Sequence, residues 1–262
     1  MDELQHHTTC LNIEQLRSLN REDALCLAGV CEKAARYKDM LCVLLALIST
    51  WAPSTKVESE ERTLLSIAYN KQVLPLRVAI RNVTESLNLE KCESVRGMLE
   101  SLRDGMVAEL EALCNEFIEL VQRIVLFESS FQDADAIIWA YKTVGDHYRY
   151  QAELFLPGRD NVKELAEGAF VKGLSEAQTR LVPTSPLRLS LALNYAVFLY
   201  EIAQDEEKGR SIAQDALDAA EAEITSLKVA HSALPDTETL LRLIQKTLAT
   251  WKANSSSNNK SS

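Results

Sequence analysis

The feature that most constrains the fold is a run of apolar residues at helical spacing. Leu65, Tyr69, Val73, Leu76, Ile80, Val83 and Leu87 follow one another in alternating steps of four and three. Such steps return to one side of an α-helix, whereas a half-buried strand alternates in twos. The spacing predicts one long helix over 59–88 with an apolar stripe facing a core. Pro75 falls inside it, removes a backbone hydrogen bond and is expected to bend the helix locally. The same periodicity predicts further helices at 21–35, 37–50, 94–127, 132–155, 160–181, 186–203, 207–227 and 236–252. Helix signals punctuate them. Asn20 with Asp23 reads as an N-cap, Pro53 marks a loop, Pro157-Gly158 and Pro183 are stops, and Ser185-Pro186 is a cap followed by an N1 proline. Only 8 Gly and 6 Pro occur in 262 residues, too few for the many tight turns of an all-β chain. The expected architecture is all-α, with nine antiparallel helices over 21–252. An N-terminal extension over 1–20 precedes them, with room for a short helix around Leu11–Leu19, and a disordered polar tail over 253–262 follows.

The formal net charge is −10, and no Lys/Arg-rich run breaks it. A nucleic-acid binder needs a basic face, and a negative chain is repelled by anionic membranes. The opening MDELQHHTTC is charged where a secretion signal is apolar, and no apolar run approaches the roughly 18 residues of a membrane span. A soluble, cytoplasmic protein is expected. The six cysteines lie in the first half without CxxC pairs, mostly among apolar helical residues, and are expected to be reduced, buried thiols. His6, His7, His147 and His231 lack ligand spacing, so no metal is expected. There is no phosphate-cradling glycine loop, HExxH or nucleophile elbow, so neither an enzyme nor a cofactor is expected.

Against that acidity, basic residues aligned on one helical face stand out. Arg77 and Arg81 are one turn apart, and position 70, an asparagine, lies on the same stripe. In 132–155, Lys142, Asp146, Arg149, Tyr150 and Glu153 share a face, with acids placed to hold the Arg149 fork. Guanidinium groups bind phosphate bidentately and tyrosine adds a neutral donor. By pattern alone, such residues are either an anion site or an ordinary solvated face.

Five stretches, in order and at matching intervals, resemble the 14-3-3 family: REDALCLAGVCEKAARYKDM, EERTLLSIAYN, GDHYRYQAE, PTSPLRLSLALNYAVFLYEI and, more loosely, DTETLLRLIQKTLATW. Together they cover about 21–252. The resemblance implies a curved helical bundle with a concave groove. It implies a non-enzymatic adaptor that binds phosphoserine or phosphothreonine segments of client proteins. The family's phosphate-gripping triad falls on Arg77, Arg149 and Tyr150, with Arg81 in support and Lys142 lining the groove. Asn194 matches an asparagine that bonds the ligand backbone, and Glu201 a groove glutamate. Leu193, Val197, Leu240 and Leu243 match the opposing apolar wall. From the residues alone, Asn194 and the leucines read equally as buried core.

The chain departs from the family at several of these positions. Asn70 stands in place of a phosphate-binding lysine. Lys71 points about 100° away unless the bend at Pro75 brings it round. Thr247 replaces a second backbone-clamping asparagine, and Thr250 an apolar wall residue. Dimerisation in the family places Val30, Ala34, Arg36 and Asp39 against a partner's 59–88 and 94–127 helices. Arg36 is expected to pair with Glu109. Gly105 stands for the lysine partner of Asp39, Leu102 for an aromatic, and Ala79 for a serine whose phosphorylation splits dimers. A homodimer with an altered interface is expected. The alternative function is a helical interaction scaffold with weakened or lost phosphate dependence.

Overall fold

The computed structural model describes residues 11–51, 55–126, 133–154, 160–227 and 234–258. Among them the regular elements are all helical, and no strand occurs. They are α1 (Ile13–Arg17), α2 (Arg21–Lys33), α3 (Tyr37–Ser49), α4 (Ser59–Leu89), α5 (Glu93–Val121), α6 (Ala134–Ala152), α7 (Asp160–Arg180), α8 (Pro186–Val197), α9 (Glu206–Leu227) and α10 (Pro235–Asn258). Single π-helical turns continue α5 over Gln122–Leu126 and α8 over Phe198–Ile202. The chain divides into two compact units, Met1–Ala136 and Ile137–Ser262.

In the first unit α3 is buried all round, from Asp39 to Ile48. A helix this apolar has to be enclosed, and α1, α2 and α4 pack on it. Asn20 caps α2 as expected, its Oδ1 accepting the Asp23 N–H at 2.9 Å. Helix α4 starts from a capping box of two glutamates. The Glu58 N–H donates to Glu61 Oε2 at 2.8 Å, and the Glu58 side chain accepts the Glu61 N–H. Glu61 is buried and paired with Arg21, which ties the start of α4 to α2. The helix then runs through Pro75 to Leu89 without a break. Tyr69 stacks on Phe117 of α5 at 4.0 Å and donates its hydroxyl to Glu116 at 2.7 Å.

In the second unit α7, α9 and α10 pack on α8. Phe170, Tyr195 and Phe198 form its aromatic centre, with Phe170 and Tyr195 rings 5.5 Å apart. Gly209 lets α9 meet the α8 backbone. A Cβ there would lie 2.9 Å from the Ala196 carbonyl oxygen and 3.1 Å from the Tyr200 nitrogen.

Three expectations need adjustment. The predicted 94–127 and 186–203 helices each end in a π turn, which apolar spacing does not distinguish from α. Helix α10 continues to Asn258, past the expected end at 252, so the start of the polar tail is helical. Cys31, Cys42 and Cys114 are buried, but Cys26 and Cys92 are exposed, so the expectation of buried thiols fails for these two. Cys26 lies on the outer face of α2, and Cys92 is the N-cap residue of α5. Cys10, the rest of 1–10 and 259–262 lie outside the described residues. No described helix is long and apolar enough to cross a membrane.

Candidate functional site

The face predicted on α6 is organised around a buried carboxylate. Lys142 Nζ donates to Asp146 Oδ2 at 2.8 Å, and Asn194 Nδ2, reaching over from α8, lies 2.8 Å from both carboxylate oxygens. Arg149 Nη2 stands 3.6 Å from Asp146 Oδ1, close enough to attract but too far to be a hydrogen bond. The guanidinium lies 4.7 Å over the Tyr150 ring, with the Arg149 side chain 12% exposed. Its Nε is buried with no hydrogen-bond partner among the described residues. The fork is thus oriented from two sides, and its buried Nε–H is left unmatched among the described residues.

Burial alone would push the Asp146 carboxyl up, but Lys142 and Arg149 together outweigh it and hold Asp146 below the usual carboxylate range. Lys142 and Arg149 thus both face the single carboxylate of Asp146. His147 lies buried beside it, its Nδ1 donating to the Thr143 carbonyl at 2.8 Å and its ring edge-on to Tyr150 at 5.3 Å. Burial brings its pKa down to about 4, so the imidazole is neutral at pH 7 and packs against Tyr150 without adding charge. Tyr150 is itself mostly buried.

Asp146 is the residue that sequence reasoning undervalued. Read as a tether for Arg149 alone, it also binds Lys142 and joins α6 to α8 through Asn194. A lysine four residues before it and an arginine three after were the available signal. Asn194 is fixed by donating its Nδ2 to both Asp146 oxygens.

On α8 and α10 the predicted wall residues Leu193, Val197 and Leu240 belong to one apolar cluster with Ile244, Leu248 and Trp251. Leu193 is buried within it and acts chiefly as core, whereas Leu243 is exposed. Glu201 is exposed on the π turn, next to Tyr200, whose ring stacks on Trp251 at 4.2 Å. The Thr247 hydroxyl donates to the Leu243 carbonyl at 2.9 Å, and that of Thr250 to Lys246 at 3.0 Å. Both hydroxyls are directed at their own helix, so α10 offers no asparagine-like clamp at these positions.

The remaining predicted cations lie in the first unit, on α4. Arg77 is half-buried and Arg81 exposed. Burial pushes the Cys114 thiol of α5 up to about 12, and nearby Arg77 offsets only part of that. Asn70 Oδ1 is buried without a hydrogen-bond partner among the described residues. Lys71 Nζ lies 5.9 Å over the Tyr37 ring of α3, so Pro75 does not bring it round to replace the missing lysine.

The residues expected at a dimer contact also lie in the first unit. Val30, Ala34, Arg36, Leu102 and Glu109 are exposed. Asp39 is buried and ion-paired with Arg36 of its own chain. It therefore meets its countercharge without the lysine that Gly105 replaces. Val95, Met98 and Leu102 form an exposed apolar row on α5, continued by Gly105 and Glu109. Met98 is 73% and Leu102 53% exposed.

A 14-3-3 protein family model matches residues 27–252. The 14-3-3 protein homolog 2 of Echinococcus multilocularis is 33% identical over 229 residues, covering 87% of this chain and 89% of its own. The 14-3-3-like protein D of Nicotiana tabacum is 33% identical, with 89% and 94% covered, and human 14-3-3 protein eta is 31% identical, with 88% and 94% covered. With a family model spanning α2 to α10 and relatives above 30% identity along nearly their whole length, the chain belongs to the 14-3-3 family.

Proposed function

We propose that this 14-3-3 protein works as an adaptor in which Arg77, Arg81, Arg149 and Tyr150 grip the phosphoryl group of a phosphoserine or phosphothreonine client. Lys142 and Asn194 stand beside the phosphate, and Leu193, Val197, Glu201, Leu240, Leu243 and Thr247 line the rest of the groove. The observation that carries this is the state of Arg149. Its guanidinium is fixed by Asp146 and Tyr150, yet its Nε has no hydrogen-bond partner among the described residues. A phosphoryl group brings close to two negative charges and three strong acceptors to such a fork. The protein regulates clients by capture, without catalysis, in the cytoplasm, and as a homodimer. The dimer uses Val30, Ala34, Leu102 and the α5 row, with Arg36 held to Asp39 in the same chain rather than reaching a partner's Glu109.

The test is an anisotropy titration of a phosphopeptide library against its unphosphorylated twin. The wild type is expected to prefer the phosphorylated form. Arg149→Ala and Arg77→Ala should each lower that preference about 10- to 100-fold, the equivalent of one charge-assisted hydrogen bond. Equal binding of both peptide forms by the wild type would refute the proposal. Asn70 and the inward-turned Thr247 hydroxyl favour the second reading, a scaffold with weakened phosphate dependence. Client capture that survives phosphatase treatment, with Arg149→Ala neutral, is the outcome that would establish it.

A further inference from the structure

Beside its arginines α4 carries an exposed aliphatic strip. At about 100° per residue, Asn70, Arg77 and Arg81 fall along one line of the helix, and Ile67, Leu74 and Val78 run roughly 40–80° round from it. Leu74 is 40% and Val78 52% exposed. With Ile67, Asn70 and Pro75 they line an open, largely apolar recess of about 480 Å³. The recess lacks a strong charge at its floor, since Asn70 is neutral and Lys71 on its rim lies over the Tyr37 ring. Two guanidinium groups thus sit next to an aliphatic surface on the same helix.

We propose that Leu74 and Val78 form an apolar subsite that selects phosphorylated clients carrying a large aliphatic or aromatic side chain one or two residues from the phosphorylated residue. This rests on the phosphate-gripping role of Arg77 and Arg81 given above. Charge complementarity fixes the occupant's phosphoryl group at those arginines. Leu74 then lies about 4.5 Å along the helix axis from Arg77 and about 10.5 Å from Arg81. An extended segment advances about 3.3 Å per residue, so its first or second neighbour passes over the recess. A large apolar side chain gains by leaving water there, whereas an acidic or small polar one does not.

The experiment compares phosphopeptides of one sequence carrying Leu or Ser at each of the two positions on either side of the phosphoserine, with unphosphorylated twins. Each is titrated into the full chain and into the Leu74→Ser/Val78→Ser variant, whose folding is checked by thermal melting. Both residues are exposed, so the variant is expected to fold. The wild type should bind at least one Leu-flanked phosphopeptide about tenfold more tightly than the Ser-flanked one, and the variant should bind the two equally. A wild type that discriminates phosphate but not Leu from Ser overturns this inference and leaves the adaptor reading standing. A wild type that does not discriminate phosphate overturns both. Leu preference retained in the variant also overturns it. So does a shift of the variant towards monomer in sedimentation, which would give the strip to a second copy of the chain.

Discussion

Around Asp146 one buried carboxylate holds Lys142 and Asn194 by hydrogen bonds and Arg149 by ion pairing. The substitution Asp146→Asn would add net positive charge to the patch, so a site working by charge alone should bind phosphate better. A site working by orientation should bind worse, because the Arg149 fork loses its anchor and two cations are left to repel. The geometry favours the second outcome. Phosphopeptide affinity is expected to fall about tenfold or more, and urea unfolding to show a loss of about 3 kcal/mol, as for breaking a buried pair. The neighbouring His147 sets the acid sensitivity. Its folded pKa of about 4 lies below the unfolded value of about 6.5, so the unfolded state takes up protons first as pH falls. Its contribution is complete above pH 6.5 and is lost on acidification towards about 4, by about 1 kcal/mol at pH 5.5 and about 3 kcal/mol in full. Asp146, held below its usual range, adds its own loss at still lower pH. Urea unfolding of the wild type and His147→Phe from pH 7.5 to 4.5 checks this. The variant's stability should vary less over that window, and parallel curves would contradict the assignment.

At the scale of the helices, the end of α2 carries an identifiable strain. The Arg36 N–H donates to the Cys31 carbonyl at 2.8 Å and the Ala35 N–H to Glu32 at 2.9 Å, closing the helix with Ala35 at φ 55. A left-handed turn of this kind suits glycine, and a Cβ there costs about 1 kcal/mol. Ala35→Gly is therefore expected to raise stability by up to about 1 kcal/mol in urea unfolding, less glycine's greater unfolded-state entropy. Exposed Ala34, one residue earlier with φ −83, should instead lose stability as glycine. The element plan was legible because each buried stripe recurs at helical spacing, as on α4. What was hidden depends on hydrogen-bond register. The π turns after α5 and α8 keep an apolar composition, the cap of α4 uses Glu58 in place of a Ser or Asn, and the Ser/Asn-rich end of α10 stays helical against its composition. At the site, the cationic faces followed from spacing within single helices. The Asp146–Asn194 link joins residues 48 apart in sequence, and no local pattern announces a contact of that range.

For the whole molecule, association between chains turns on the exposed apolar row of α5. Val95, Met98, Leu102, Gly105 and Glu109 recur at i, i+3, i+7, i+10 and i+14, which is one face of a helix. The first three are large and exposed, and Val30 on α2 is exposed in the same unit. Surface ion pairs contribute at most about 1 kcal/mol, so the loss of a lysine at Gly105 matters little to association if this apolar row is buried in it. Burying a side chain such as Met98 or Leu102 contributes about 1.5–3 kcal/mol each. Met98→Glu or Leu102→Glu is thus expected to weaken the homodimer by about tenfold to a hundredfold, read as a concentration-dependent shift to monomer in sedimentation. Arg36→Ala is the informative comparison, because Arg36 is engaged with Asp39 in its own chain. It should lower the stability of the folded chain, by removing the guanidinium paired with a buried carboxylate, more than it lowers dimer affinity. If Arg36→Ala splits the dimer while Met98→Glu leaves it intact, the chains are joined by a charge pairing of Arg36 with the opposite chain and the apolar row belongs to another partner.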